Sequence, residues 1–428
     1  MDINEDSTSS AAAIKQNRRR IGFIGATCSL AVVYAASSAP IPLFNTYRQT
    51  LDLTSGDLSM TAVAYFVGCV IALLMFARVS NYMGRRPVIL VTLGLAAIGC
   101  FIFIYIHNAP MFLIGRFVQG FACGLASSTI TAYLADNAPA SPKWISAAVI
   151  SGAPMIGLSA GAFGAGGLKE YGFGSLSTIF LVLIALLAFC AVLIAASPET
   201  VTRTSGVVAS IVPQIRIPQN IRHLLPAAIC IFVGTWAIGG FYQAFSSSMA
   251  AELLNTTNTI VAAAVFACLM APNMIGGWMN GSLKPDAAQR IGMSAYFLCV
   301  MAILVSLKVG AIIPFLMASV FAGVAQGAAF TGSMRRLLDN TSPEDRAGLL
   351  STIYLVSYSG AAIPNLIVAR LSSSFSLFEI AVGYGLLVAV ACIVTLFTAR
   401  PDRDNKEWEG RKSQSEVTGR CVKLGFQK

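Results

Sequence analysis

Charge is scarce in this chain. Of its 428 residues only 11% are Asp, Glu, Lys or Arg, against about 25% in an ordinary soluble domain. Histidine is scarcer still, with only His107 and His223. Both are predicted at segment ends on opposite sides, so the apolar interior holds no histidine base for a serine nucleophile. A formal G-x-S-x-G around Ser159 is therefore not read as a hydrolase site, and no enzyme activity is expected. The P-loop pattern G-x-x-x-x-G-K-[ST] does not occur, which argues against ATP-driven pumping. No metal-ligand spacing occurs either, so no metal or other cofactor is expected. Of ten cysteines only Cys421 falls in a predicted tail. That is no disulfide framework, and the other nine read as small hydrophobes.

Apolar residues are abundant, at 56% of the chain, with a mean hydropathy of +0.72. One soluble core cannot hide that much, but a bilayer can, in stretches of about 20 residues. Twelve such segments are read near 21–44, 58–77, 87–107, 110–135, 144–168, 174–196, 223–248, 258–281, 291–308, 311–334, 347–371 and 375–399. The fold class is thus an all-α membrane protein. The basic Arg18-Arg19-Arg20 before segment 1 mimics a secretory leader, but the apolar run is long enough to span and is read as the first span.

The net charge of +10 reads as a topology signal, not as a nucleic-acid footprint. With this segmentation Arg48, Lys169, Lys308 and Arg370 lie on one side, Arg116 lies within the membrane, and every other Lys and Arg lies on the second side. The positive-inside rule places both termini in the cytoplasm. Short loops favour a bacterial inner membrane.

The polar stretch 197–222 separates six segments from six, giving bundles at 21–196 and 223–399 between tails 1–20 and 400–428. The halves share punctuation. Asp136-Asn137 after segment 4 is answered by Asp339-Asn340 after segment 10, and Gln119-Gly120 by Gln326-Gly327. Matching marks of this kind indicate an internal repeat, and two six-helix repeats around a midplane site make a transporter architecture.

At this point the residues resemble the major facilitator superfamily. The loop after segment 2 in that family carries G-x-L-x-D-R-x-G-R-R/K. Here it reads Ala77-Arg78-Val79-Ser80-Asn81-Tyr82-Met83-Gly84-Arg85-Arg86, matching at the Gly-Arg-Arg end, with Asn81 in place of the aspartate. Segment 4 of proton-linked members carries R-x-x-Q-G, matched by Arg116, Gln119 and Gly120, with Gly124 beyond. The drug antiporters' G-P-x-x-G-G of segment 5 is matched loosely by Ala153-Pro154-Met155-Ile156-Gly157-Leu158, with Gly161 following. Pro40 and Pro42 at the end of segment 1 and Pro198-Glu199 after segment 6 are similar to the same drug-efflux, proton-antiporter branch.

The resemblance implies roles for several residues. Asn81, Gly84, Arg85 and Arg86 would gate the cytoplasmic side, the family's aspartate meeting the N-terminus of helix 11 when the gate is shut. Asn81 supplies no charge for that dipole contact, so the gate is expected to close less firmly. Asp136 with Lys143, and Asp339 with Arg346, would form a charge relay, or else ordinary surface pairs. Gly152, Pro154, Gly157 and Gly161 suit a hinge, or tight packing against helix 8 or 10.

A proton antiporter needs a group that titrates within the membrane, and all 19 acids can be placed outside its core. Asp57 and Glu379 come nearest. Ser376 and Glu379 have capping-box spacing. Arg116, always charged, has three readings: it bonds carbonyls of segment 1 near its Pro40–Pro42 break, pairs with an anionic substrate group, or tunes an acid such as Asp57. Midplane polar and aromatic residues are expected to line a cavity between the halves: Tyr34, Arg116, Gln119, Trp236, Tyr242, Gln243, Asn273, Gln326, Tyr354, Tyr358 and Asn365.

The expected function is a monomeric secondary transporter exporting small organic molecules or drugs by alternating access, with protons as the coupling ion and no nucleic-acid partner. Uptake of an organic anion or sugar-like solute is the alternative. A non-transporting receptor is the alternative of another class.

Overall fold

The computed structural model describes residues 3–139, 144–172, 175–213, 217–279, 283–342 and 345–399. Twelve helical spans cross it: α1 Gln16–Thr50, α2 Ser55–Phe76, α3 Arg85–Ile104, α4 Ala109–Asp136, α5 Ala148–Glu170, α6 Leu176–Ala196, α7 Gln219–Leu253, α8 Thr259–Met279, α9 Pro285–Val309, α10 Ile312–Asp339, α11 Gly348–Leu371 and α12 Leu377–Thr398. No strand occurs among the described residues. The helix leading into α1 starts at Ile3, so the stretch read as an N-terminal tail continues into the first span. Lys143 and the tail 400–428 lie outside the described residues.

Local signals set the helix starts. Thr54 and Asp57 form a reciprocal capping box at α2, and Ser376 with Glu379 does the same at α12. Each box satisfies backbone N–H groups that the first helical turn leaves without partners. Asn108 caps α4, accepting from the Met111 N–H at 2.9 Å, and Asn258 caps α8 through Ile260 and Val261. Between the caps the spans are apolar enough that many large side chains remain outward. On α6 these include Leu181, Leu186, Phe189 and Val192, which suits contact with lipid, where the helical backbone has already met its own hydrogen bonds.

The two halves pack by one plan. In the first, α1 meets α5 and α6, α2 meets α4, and α3 meets α4 and α6. In the second, α7 meets α11 and α12, α8 meets α10, and α9 meets α10 and α12. The halves touch through α5 against α8 and α2 against α7 and α11. The end of the bundle that holds the 2–3 loop is called the basic face below.

Glycine sets the closest approaches. A Cβ on Gly120 of α4 would overlap the Tyr65 carbonyl of α2, and one on Gly327 of α10 would overlap the Asn273 carbonyl of α8. Gly68 and Gly276 repeat the relation from the other side of each pair. Gly157 and Gly161 of α5 lie against the Ala31 and Ala35 carbonyls of α1, not against helix 8 or 10 as the sequence suggested. Gly152 faces α8, with Met274 as its neighbour, and Gly166 further along α5 lies against the Thr259 carbonyl of α8. Small residues thus let α5 approach α1 within its own bundle and α8 across the halves.

Candidate functional site: a cavity between the halves

α1 is not a continuous helix. Its regular part ends at Ser38, and a short 3-10 turn over Ile41–Leu43 leads into Phe44–Thr50. Pro40 has no N–H, so the Ala36 carbonyl loses the partner that an unbroken helix would supply. Gln119 replaces it, donating Nε2 to the Ala36 oxygen at 2.9 Å. Arg116 Nη1 donates to the Ser37 oxygen at 2.6 Å and to Gln119 Oε1 at 2.9 Å. The guanidinium also sits over the Tyr65 ring at 4.7 Å and the Phe44 ring at 5.7 Å. Arg116 is fully buried, and its Nε and Nη2 have no hydrogen-bond partner among the described residues. The geometry therefore matches the carbonyl reading of Arg116. Asp57 is already engaged by Thr54, so nothing ties it to the arginine.

A cavity of about 190 Å³ lies between the halves. Six of the expected residues line it: Tyr34, Trp236, Gln243, Asn273, Gln326 and Tyr358. Five do not. Arg116 and Gln119 are taken up by the α1 break and lie behind Tyr65. Tyr242 bonds Ser319 at 2.8 Å and stacks on Phe315 within the second half. Asn365 is buried, donating to Ala361 and accepting from Ser59 of α2. Tyr354 lines a separate vestibule toward the basic face. For the four other than Tyr354 a polar side chain met a partner within the protein, which mid-helix position alone does not reveal.

Apolar residues complete the lining: Tyr65 and Phe66 from α2, Met155 and Leu158 from α5, Gly239 and Gly240 from α7, Phe266 and Met270 from α8, and Phe330 from α10. The signal for them was the helical stripe through the polar ones. Trp236, Gly239, Gly240 and Gln243 follow at three- and four-residue spacing, as do Phe266, Met270 and Asn273. Trp236 and Tyr358 meet edge to face at 4.5 Å.

Toward the basic face a second cavity of about 170 Å³ is lined by Leu73, Ala77, Arg78, Ser127, Ser128, Leu350 and Tyr354, among others. Leu73 and Ser127 belong to π-helical turns at Ala72–Phe76 and Ala126–Ile130. A hydrogen bond of 2.6 Å between Tyr34 Oη and Ser127 Oγ, and the Tyr354–Tyr358 ring pair at 6.3 Å, stand between this vestibule and the central cavity. On the opposite face polar contacts bridge the halves. Arg48 of α1 pairs with Glu252 of α7. Glu170 of α5 accepts from the Thr259 N–H at 2.8 Å, from Thr259 Oγ1 at 2.9 Å and from Asn258 Nδ2 at 3.0 Å.

The expected gating residues hold the first half to the linker. Gly84 adopts a φ of +94°, and Glu199 accepts from the N–H of Arg85 at 2.8 Å and of Arg86 at 3.1 Å. A side chain at Gly84 would meet that carboxylate. Arg85 pairs with Asp136 at 3.2 Å and donates to Asn81 Oδ1 at 2.6 Å. Asn81 thus turns to its own loop and, among the described residues, makes no hydrogen bond to α11. Thr200 also donates to Asp136, at 2.8 Å. The expected partner Lys143 lies outside the described residues. Asp339 and Arg346 are both exposed and form no ion pair among the described residues.

The sequence profile of the Major Facilitator Superfamily matches residues 26–313, more than half of the chain. The chain belongs to the Major Facilitator Superfamily. Similar relatives include the quinolone resistance protein NorA of Staphylococcus aureus strain MRSA252, 22% identical over 215 residues, which is 50% of this chain and 55% of that protein. The multidrug resistance protein MdtL of Klebsiella pneumoniae is 33% identical over 89 residues, 21% of this chain and 23% of that one. The matches thus span about half of the first relative and under a quarter of the second. This superfamily member is a multi-pass membrane protein with twelve spans in two pseudo-symmetric bundles, similar over part of its length to drug-efflux proteins.

Proposed function

We propose that this transporter exports small organic molecules by alternating access, the two halves rocking about the central cavity with the basic face in the cytoplasm of a bacterial inner membrane. One observation carries the reading: the cavity between the halves is separated from the basic-face vestibule by Tyr34, Ser127, Tyr354 and Tyr358, and from the opposite face by contacts that bridge the halves. Opening either set alone exposes the same site to one side, which is what repeat-built transporters require. The drug-efflux names of the relatives and the excess of Lys and Arg on one face support direction and orientation. An anionic substrate for Arg116 loses support, because that side chain faces the α1 break.

Proton coupling requires carboxylates whose environment changes as access alternates. No acid lines the cavity. Glu170 and Glu252 bond across the halves on the opposite face, so separating the halves there would change their surroundings.

Everted vesicles carrying the protein test this. A drug or organic solute from a panel is expected to collapse an imposed pH gradient, and Gly239→Leu, which fills the cavity, is expected to abolish the response. Absence of both gradient collapse and labelled-solute movement with folded protein would overturn the export reading.

A further inference from the structure

We propose that the central cavity takes a small uncharged aromatic solute that donates one hydrogen bond, received by Gln326. The inference rests on the reading of that cavity as the substrate site.

Charge is excluded first. The lining holds no Asp, Glu, Lys, Arg or His. Arg116, the buried charge of the first half, is covered by the Tyr65 ring that faces the cavity. A cation or an anion entering would lose its hydration and find no counter-charge. The walls are aromatic instead, with Trp236 and Tyr358 edge to face at 4.5 Å and Phe330 6.2 Å from Trp236. Flat rings pack onto such walls in offset and edge-on arrangements.

The donor requirement comes from Gln326. Among the described residues its Oε1 is buried without a partner, and its Nε2 reaches only the Thr235 oxygen at 3.4 Å. The residue is 8% exposed. A buried acceptor left unmade is costly, so a ligand that supplies a hydrogen gains more than one that does not. The internal repeat explains why this oxygen is free. The Oε1 of its counterpart Gln119 accepts from Arg116 Nη1 at 2.9 Å. Three residues before Gln326 stands Gly323 in the place of that arginine, so the matching donor is missing. Gln243 and Asn273 also face the cavity and make no side-chain hydrogen bond among the described residues.

Size limits the ring count. The volume is about 190 Å³, and an apolar cavity of about 150 Å³ accommodates benzene. One ring, or two fused rings, fills the space.

The test uses purified full-length protein in detergent and equilibrium dialysis with four probes on one ring: 2-naphthol, 2-methoxynaphthalene, 2-naphthoate and 2-naphthyltrimethylammonium. Gly239→Leu supplies the baseline for partition into detergent. A Cβ at Gly239 meets nothing closer than Met270 Cε, at 3.7 Å, so this variant fills the cavity without overlapping backbone. At pH 7, where the naphthol is uncharged, it is expected to bind above baseline and about tenfold tighter than its methyl ether or either ion. Gln326→Leu, or Gln326→Met should the first not fold, is expected to erase the difference between naphthol and ether while keeping the affinity for the ether. A purely structural role for Gln326 would move both ligands together and overturn its role as acceptor. An ion bound as tightly as the naphthol would overturn the uncharged class. No probe above baseline, in protein that still exports a solute in vesicles, would overturn this inference alone. No binding and no export would remove the transport reading with it.

Discussion

Arg116 is the residue at which sequence and packing pull hardest against each other. It carries a full charge into α4, fully buried, with two of its three nitrogens unpartnered and no carboxylate beside it. Its gains are the Ser37 carbonyl and two aromatic faces. Replacing a buried ion by an apolar side chain of similar volume is often neutral or stabilising. We therefore expect Arg116→Met to change stability by no more than about 1 kcal/mol, whereas Arg116→Ala, which leaves a void, costs about 2–4 kcal/mol. Transport is expected to fail in both, because the α1 break loses the group that holds it. Thermal unfolding in detergent beside vesicle transport checks this. Equal destabilisation by both substitutions would make the arginine a structural cap and nothing more. That Arg116 is exceptional was legible in the sequence, and so was the Pro40 break. Which way its side chain turns was not, since that depends on carbonyls exposed by another helix. The same limit separates Gln119 from Gln326: one letter in matching places, one amide oxygen taken by Arg116 and the other free among the described residues.

At the scale of helices, the glycines divide sharply by what surrounds them. Gly120, Gly157 and Gly327 each lie against a neighbouring helix's carbonyl oxygen, where a Cβ would overlap it. Gly94, Gly164 and Gly383 have open space around the same position. Alanine at the first three is expected to cost about 1–3 kcal/mol or more by forcing backbones apart. At the second three it is expected to stabilise by about 0.5–1 kcal/mol through helix propensity. Melting temperatures of the six variants decide the point, and similar losses in both sets would contradict the packing. The repeat of Gln-Gly in segments 4 and 10 announced one contact in each half. The partners of Gly157 and Gly161 were misread because spacing reveals a small-residue face but not the helix that covers it.

For the whole molecule the question is which contacts shut the route to the face opposite the basic one. Glu170 from the first half caps the start of α8 in the second, and Glu252 from the second half pairs with Arg48 in the first. The exchange is reciprocal, so separating the halves on that face breaks both at once. A carboxylate at a helix N-terminus contributes about 0.3–1 kcal/mol when exposed, and an exposed ion pair a similar amount. Those sums are small against a folded domain but suffice to shift a balance between two access states severalfold. Glu170→Gln together with Glu252→Gln is therefore expected to favour opening on the face opposite the basic one. A cysteine at Gln243, which lines the cavity, reports this when the native cysteines have been replaced: a membrane-impermeant maleimide added from that face should label it severalfold faster in the double variant. If the substitutions leave labelling unchanged, closure rests on the Ser59–Asn365 contact and the α5–α8 packing instead.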